Sequence, residues 1–166
     1  MIVMLKQGGE RVQKHLKWIL VVLLVLWCFV IWQFSLQPAT TSSGASSQVQ
    51  EFCNDVLESV GVDAELSENT VRKAAHFLEF FVLGVLSAAC FFAYGFRHWQ
   101  LLSPLVFVPV AAIDECIQVF VPGRGPHILD VLLDCFGGAC GALAAAALIL
   151  LILYIKNKKE KITKTP

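Results

Sequence analysis

The sequence predicts an all-α fold, a polytopic membrane bundle of four transmembrane helices with a short amphipathic helix in the loop after the first. Three observations predict it. Of 166 residues, 57% are hydrophobic and only 16% are charged, where a soluble domain carries about 25% charged residues. Mean hydropathy is +0.68. Four apolar segments stand apart, each near the ~20 residues a helix needs to cross a bilayer. The length suits one domain, residues 1–166.

The first span is expected over about residues 16–36, where Leu16 to Phe34 is almost all Val, Leu, Ile and Trp. Trp18, Trp27 and Trp32 fit interfacial belts of a permanent span rather than a cleaved leader. The loop 37–70 begins with "QPATTSSGASS", a polar stretch expected to be flexible. "QVQEFCNDVLESVG" follows, with Val49, Phe52, Cys53, Val56, Leu57 and Val60 on one helical stripe. Ser47 is its expected cap and Gln50 completes a capping box. This helix is expected to lie against the membrane interface or across the top of the bundle, the alternative being a soluble loop helix.

The second span is expected over about 71–94. It opens with Arg72, Lys73, His76 and Glu79, then turns apolar around Gly84, Ser87, Ala88 and Ala89. The third, about 99–121, contains Pro104 and Pro109 and is expected to kink at both. It ends in Asp114, Glu115 and Gln118. The fourth, about 127–155, opens with Asp130 and Asp134, passes "GGACGALAAAAL" and meets a lysine-rich tail, 156–166.

Charge sets the expected orientation. Lys+Arg and Asp+Glu both number 13, so there is no basic excess for nucleic acid, and no nucleic-acid partner is expected. Lys6, Arg11, Lys14, Lys17, Arg97 and the C-terminal lysines flank one set of span ends, while the loop 37–70 has only acids: Glu51, Asp55, Glu58, Asp63, Glu65 and Glu68. Basic residues stay inside, so a multi-pass cell-membrane protein with both termini cytoplasmic is expected. The six cysteines form no C-x-x-C pair, so neither a zinc ribbon nor a disulfide framework is read.

In that orientation three helices bring ionisable side chains to one outer layer. Ionisable residues inside a membrane are costly and usually face the bundle interior, where they mark function. Arg72, His76 and Glu79 fall on one stripe, Asp114 and Gln118 are one turn apart, and Asp130, Asp134, Gly137 and Gly141 share a face. The glycines admit a close helix contact. Arg124, between glycines and prolines in "PGRGP", sits at the mouth.

"RKAAHFLEFFVLG", "DECIQVFVPGR" and "DVLLDCFGGACG" resemble the VanZ-like membrane proteins. The resemblance covers roughly 16–155 and includes the first-span ending "IWQFSLQP". Its pattern maps onto Lys73, His76 and Glu79, then Asp114, Glu115 and Gln118, then Arg124, then Asp130, Asp134, Gly137 and Gly141; the family more often has Asn at position 134. The resemblance implies a Gram-positive setting and an association with low-level resistance to the glycopeptide teicoplanin.

These residues support an enzyme reading and a binding reading. In the first, His76 is the acid/base, Glu79 or Asp114 its orienter, Glu115 a further catalytic carboxylate, and Arg124 with Lys73 a phosphate clamp on a lipid-linked substrate. In the second, Lys73, Gln118, Arg124, Asp130 and Asp134 bind a lipid-linked or lipoglycopeptide ligand without chemistry. A third reading makes the network structural, holding four helices together. His76, Glu79, Asp114 and Asp130 are ligand types, but H-x-x-E on a helix is too common to assign a metal. Cofactor and oligomeric state are not legible.

Overall fold

The computed structural model describes the backbone of residues 2–125 and 127–163, and side chains from 14 to 159 without Pro126. Among the described residues five α-helices follow in order: α1 (Ile2–Ser35), α2 (Ala39–Ser59), α3 (Glu68–Tyr94), α4 (Pro104–Val119) and α5 (Ile128–Thr163). A 3₁₀ turn, Trp99–Leu101, precedes α4. Among the described residues, four segments are long and apolar enough to cross a membrane: Lys14–Ser35, Glu68–Tyr94, Trp99–Val119 and Ile128–Lys159.

Local chemistry sets these limits. Ser67 caps α3, its hydroxyl accepting from the Thr70 amide, so α3 starts a turn before the apolar run. Gly95, at φ +79°, ends it in the left-handed conformation that glycine adopts without strain. Pro104 is the first residue of α4 rather than a kink within it, a position where a missing N–H costs nothing. Pro109 alone lies inside that helix.

α2 departs from the sequence expectation. The stretch read as flexible is helical from Ala39, and Pro38 occupies the cap position. The Ala39 amide reaches the Pro122 carbonyl at 3.4 Å, so the α4–α5 turn anchors the start of the helix. Ser47 is no cap; its hydroxyl bonds back to the Ser43 carbonyl, the i−4 alternative open to a serine inside a helix.

Helix directions follow from contacts at both ends of the bundle. Lys17 lies 5.5 Å from the centre of the Tyr94 ring, Trp27 Nε1 donates to the Glu79 carbonyl at 2.8 Å, and Ser35 reaches Asp114. α1 is therefore antiparallel to α3. Trp27 thus ties α1 to α3 instead of standing in an interfacial belt. α3 and α5 run parallel: Gly137 approaches Phe77, Gly141 approaches Phe81, and Gly84 approaches Gly138. A methyl group on Gly137 would lie 2.5 Å from the Phe77 carbonyl oxygen, so the two backbones touch where side chains would hold them apart.

Ile31, Phe80, Leu83, Phe107, Val110 and Ala111 form the core beside this seam. Ala88, Trp99, Ala142, Ala145 and Ala146 form a second cluster toward the far end. Outward faces carry exposed apolar side chains such as Leu26, Phe29, Ile113, Leu143 and Leu150, as expected of helices solvated by lipid.

Candidate functional site

The polar residues gather at the end of the bundle where α3 and α5 begin and α1 and α4 finish. Asp114 is the most enclosed. It is fully buried, and its two carboxylate oxygens accept from Ser35 Oγ at 2.5 Å and from Gln118 Nε2 at 2.9 Å. Gln118, one turn on, orients Asp114 from the same helix face. Ser35 reaches it from α1.

Glu115 is also buried, but it turns toward the α4–α5 connection, where Oε1 accepts the His127 backbone N–H. The two neighbouring carboxylates therefore serve different ends, one facing the bundle interior and one securing the entry into α5. Gly123, at φ +79°, makes that turn, and the Arg124 amide closes it onto the Val121 carbonyl at 3.1 Å.

Three helices supply an inner cluster. His76 Nδ1 from α3 lies 3.8 Å from Asp134 Oδ1 of α5. With Asp114 of α4, each of these residues offers a ligand-type atom within 4.8 Å of the others. Asp134 is buried, with 2% exposure. Its Oδ1, His76 Nδ1 and Glu79 Oε2 are all buried without a hydrogen-bond partner. A buried unpaired polar atom costs about 1–3 kcal/mol, and Trp32 Nε1, Ser103 Oγ and Arg124 Nε share that condition elsewhere.

Outside the cluster lies a cavity of about 530 Å³ between α2 and α3. Phe34, Val49, Cys53, Val71 and Leu78 give it apolar walls, and Arg72, His76, Glu79 and Arg124 give it one charged side. Arg124 is half-buried, and its Nε lacks a hydrogen-bond partner. Burial draws the Arg124 guanidinium below its ordinary pKa; Arg72 adds to that pull, and Asp114, Glu79 and Glu115 oppose it. Arg72 also donates to Asn69 Oδ1 at 3.4 Å.

The remaining candidates stand apart. Lys73 is exposed and is not among the residues lining the cavity, where Arg72 and Arg124 supply the guanidiniums. Asp130 is half-buried, one turn before Asp134. Ser35 and Trp27 are the contacts that sequence reading missed. Each is a single polar group in an apolar run and has no periodic partner to reveal it.

No curated protein and no solved structure matches the chain. A model of the VanZ/LLP1 family matches residues 20–153, a stretch that includes α3, α4, the turn carrying Arg124 and the site-bearing half of α5. With that match over most of its length, this four-span helical chain belongs to the VanZ/LLP1 family.

Proposed function

We propose that this end of the bundle binds an anionic, lipid-linked component of the cell envelope at the outer leaflet, and that the cavity between α2 and α3 is its seat. One observation carries the reading: a cavity of about 530 Å³ with apolar walls and one side formed by Arg72, His76, Glu79 and Arg124. An amphiphile has the same division. Its acyl portion fits against Val49, Cys53, Val71 and Leu78, and a phosphate or carboxylate fits the two guanidiniums, whose planar donors suit such anions. The family resemblance, with its association with teicoplanin, fits a role in how a lipoglycopeptide meets the cell surface. If the occupant is also a substrate, His76 and Glu79 are the cavity groups able to move a proton.

A structural role for the charges is the second reading. The Ser35–Asp114–Gln118 and Glu115–His127 contacts favour it, because those partners satisfy each other inside the protein. The two readings separate in one experiment. Native mass spectrometry of the full chain in detergent should show retention of phosphatidylglycerol over phosphatidylcholine, and Arg124→Ala should lower that preference about tenfold at unchanged protein yield. In cells, Arg124→Ala and His76→Ala should abolish any gain in teicoplanin tolerance while protein level holds. Losses that only follow lost protein would leave the network as scaffolding.

A further inference from the structure

We propose that His76, Asp114 and Asp134 together hold one divalent cation of the manganese or zinc type. The inference deepens the site described above and rests on reading this end of the bundle as a ligand-binding end. Sequence reading weighed His76, Glu79, Asp114 and Asp130 as ligand types and assigned no metal; the structure groups Asp134 with His76 and Asp114 instead.

The first argument is geometric. One imidazole nitrogen and two carboxylate oxygens lie within 4.8 Å of one another. Metal–ligand bonds for this donor set are about 2.0–2.2 Å, so neighbouring ligands at tetrahedral or octahedral angles sit about 3–3.6 Å apart. His76 and Asp134, at 3.8 Å, are close to that separation, and the three donors meet on one ion by side-chain shifts of about 1 Å.

The second argument concerns the unpaired atoms. Asp134 Oδ1 and His76 Nδ1 face each other at 3.8 Å, too far for a hydrogen bond, and neither has another partner. The Asp134 side chain is only 3% exposed, so water offers it little compensation. Asp114 is held as metal-ligating carboxylates usually are, with Ser35 and Gln118 donating to its oxygens. Such second contacts orient a ligand. An ionised carboxylate has about four lone-pair sites, so those two bonds leave room for a metal.

The third argument is charge. Glu79, Asp114, Glu115 and Asp134 are buried or half-buried here, while the guanidiniums of the cavity end are Arg72 and Arg124. With half-buried Asp130 the acids at this end outnumber the two guanidiniums, and a dication offsets part of that excess. A nitrogen donor beside two carboxylates favours a first-row transition ion over magnesium or calcium, which prefer oxygen alone. Three protein donors leave coordination positions open. His76 also lines the cavity, so an anionic head group seated there can approach the ion.

The test uses the full chain, purified in detergent without a polyhistidine tag and stripped with a chelator. Titration with Mn²⁺, followed by electron paramagnetic resonance, and with Zn²⁺, followed by elemental analysis, should each give about one ion per chain. Asp134→Asn and His76→Ala should weaken binding at least tenfold, and Glu51→Gln on α2 should not. Mn²⁺ should raise the melting temperature of the wild type but not of Asp134→Asn, which separates lost ligation from lost folding. The wild type decides the matter whether or not the variants fold. No saturable binding of either ion, or unchanged affinity in a folded Asp134→Asn, overturns the proposal. Phosphatidylglycerol retention is measured on the same samples. Lipid preference without metal sinks only the cation site; metal without lipid preference sinks the amphiphile reading and leaves the cation site standing.

Discussion

At the scale of single residues, the two adjacent carboxylates of α4 show how one short motif divides its work. Asp114 faces inward to Ser35 and Gln118, while Glu115 accepts from the His127 backbone. Ser35→Ala removes the donor that α1 gives to a fully buried carboxylate, so a loss of about 1–3 kcal/mol is expected. It is read as a lower melting temperature by circular dichroism in detergent. Glu115→Gln keeps a carbonyl oxygen for the His127 amide and should melt close to wild type, whereas Glu115→Ala strands that amide and should fall by a similar 1–3 kcal/mol or so. Equal melting of the Gln and Ala variants would show that the His127 contact contributes nothing. The acids were legible in the sequence because charge is conspicuous among apolar residues. Ser35 was not, since one hydroxyl in an apolar run looks like any helix-interface residue.

Helix faces carry the next level of information. The glycine pattern of α5 was readable from spacing alone, because Gly137 and Gly141 share a face with Asp134. The structure adds their partners on α3, Phe77 and Phe81. A methyl group on Gly141 would collide with the Phe81 carbonyl oxygen, which is backbone and cannot rotate away. Gly141→Ala is therefore expected to cost about 1–3 kcal/mol. Gly44 offers the contrast, being inside α2 with open space where its Cβ would stand. Gly44→Ala should be neutral or stabilise by about 0.5–1 kcal/mol, since alanine is the better helix former. A melting series of the two variants checks the pair. The early start of α2 escaped sequence reading because serine, threonine and alanine carry no apolar stripe. Its anchor, the bond from Ala39 to Pro122, joins residues 83 positions apart.

For the whole molecule, span number was legible, because apolar length is a property of the entire chain. Cavity shape was not, since it depends on how α2 settles against α3. The acidic loop and the basic span ends predict that the polar end faces outward. In a background without the native cysteines, a cysteine at Ser43 should react with an impermeant maleimide added to whole cells, and one at Lys158 should react only after lysis. Labelling of position 158 in intact cells would reverse the orientation and move the site to the cytoplasmic face.

The contact between α3 and α5 has a mechanical consequence. Where two backbones touch over several turns, neither helix can roll or slide without first separating, so the pair moves as a single beam. His76 and Asp134 ride on opposite members of that beam, so any change in their spacing comes from their side chains rather than from the helices. α2, with no fully buried residue of its own, lies outside that beam and is held by the bonds from Ala39 to Pro122 and from Gln50 to Leu66.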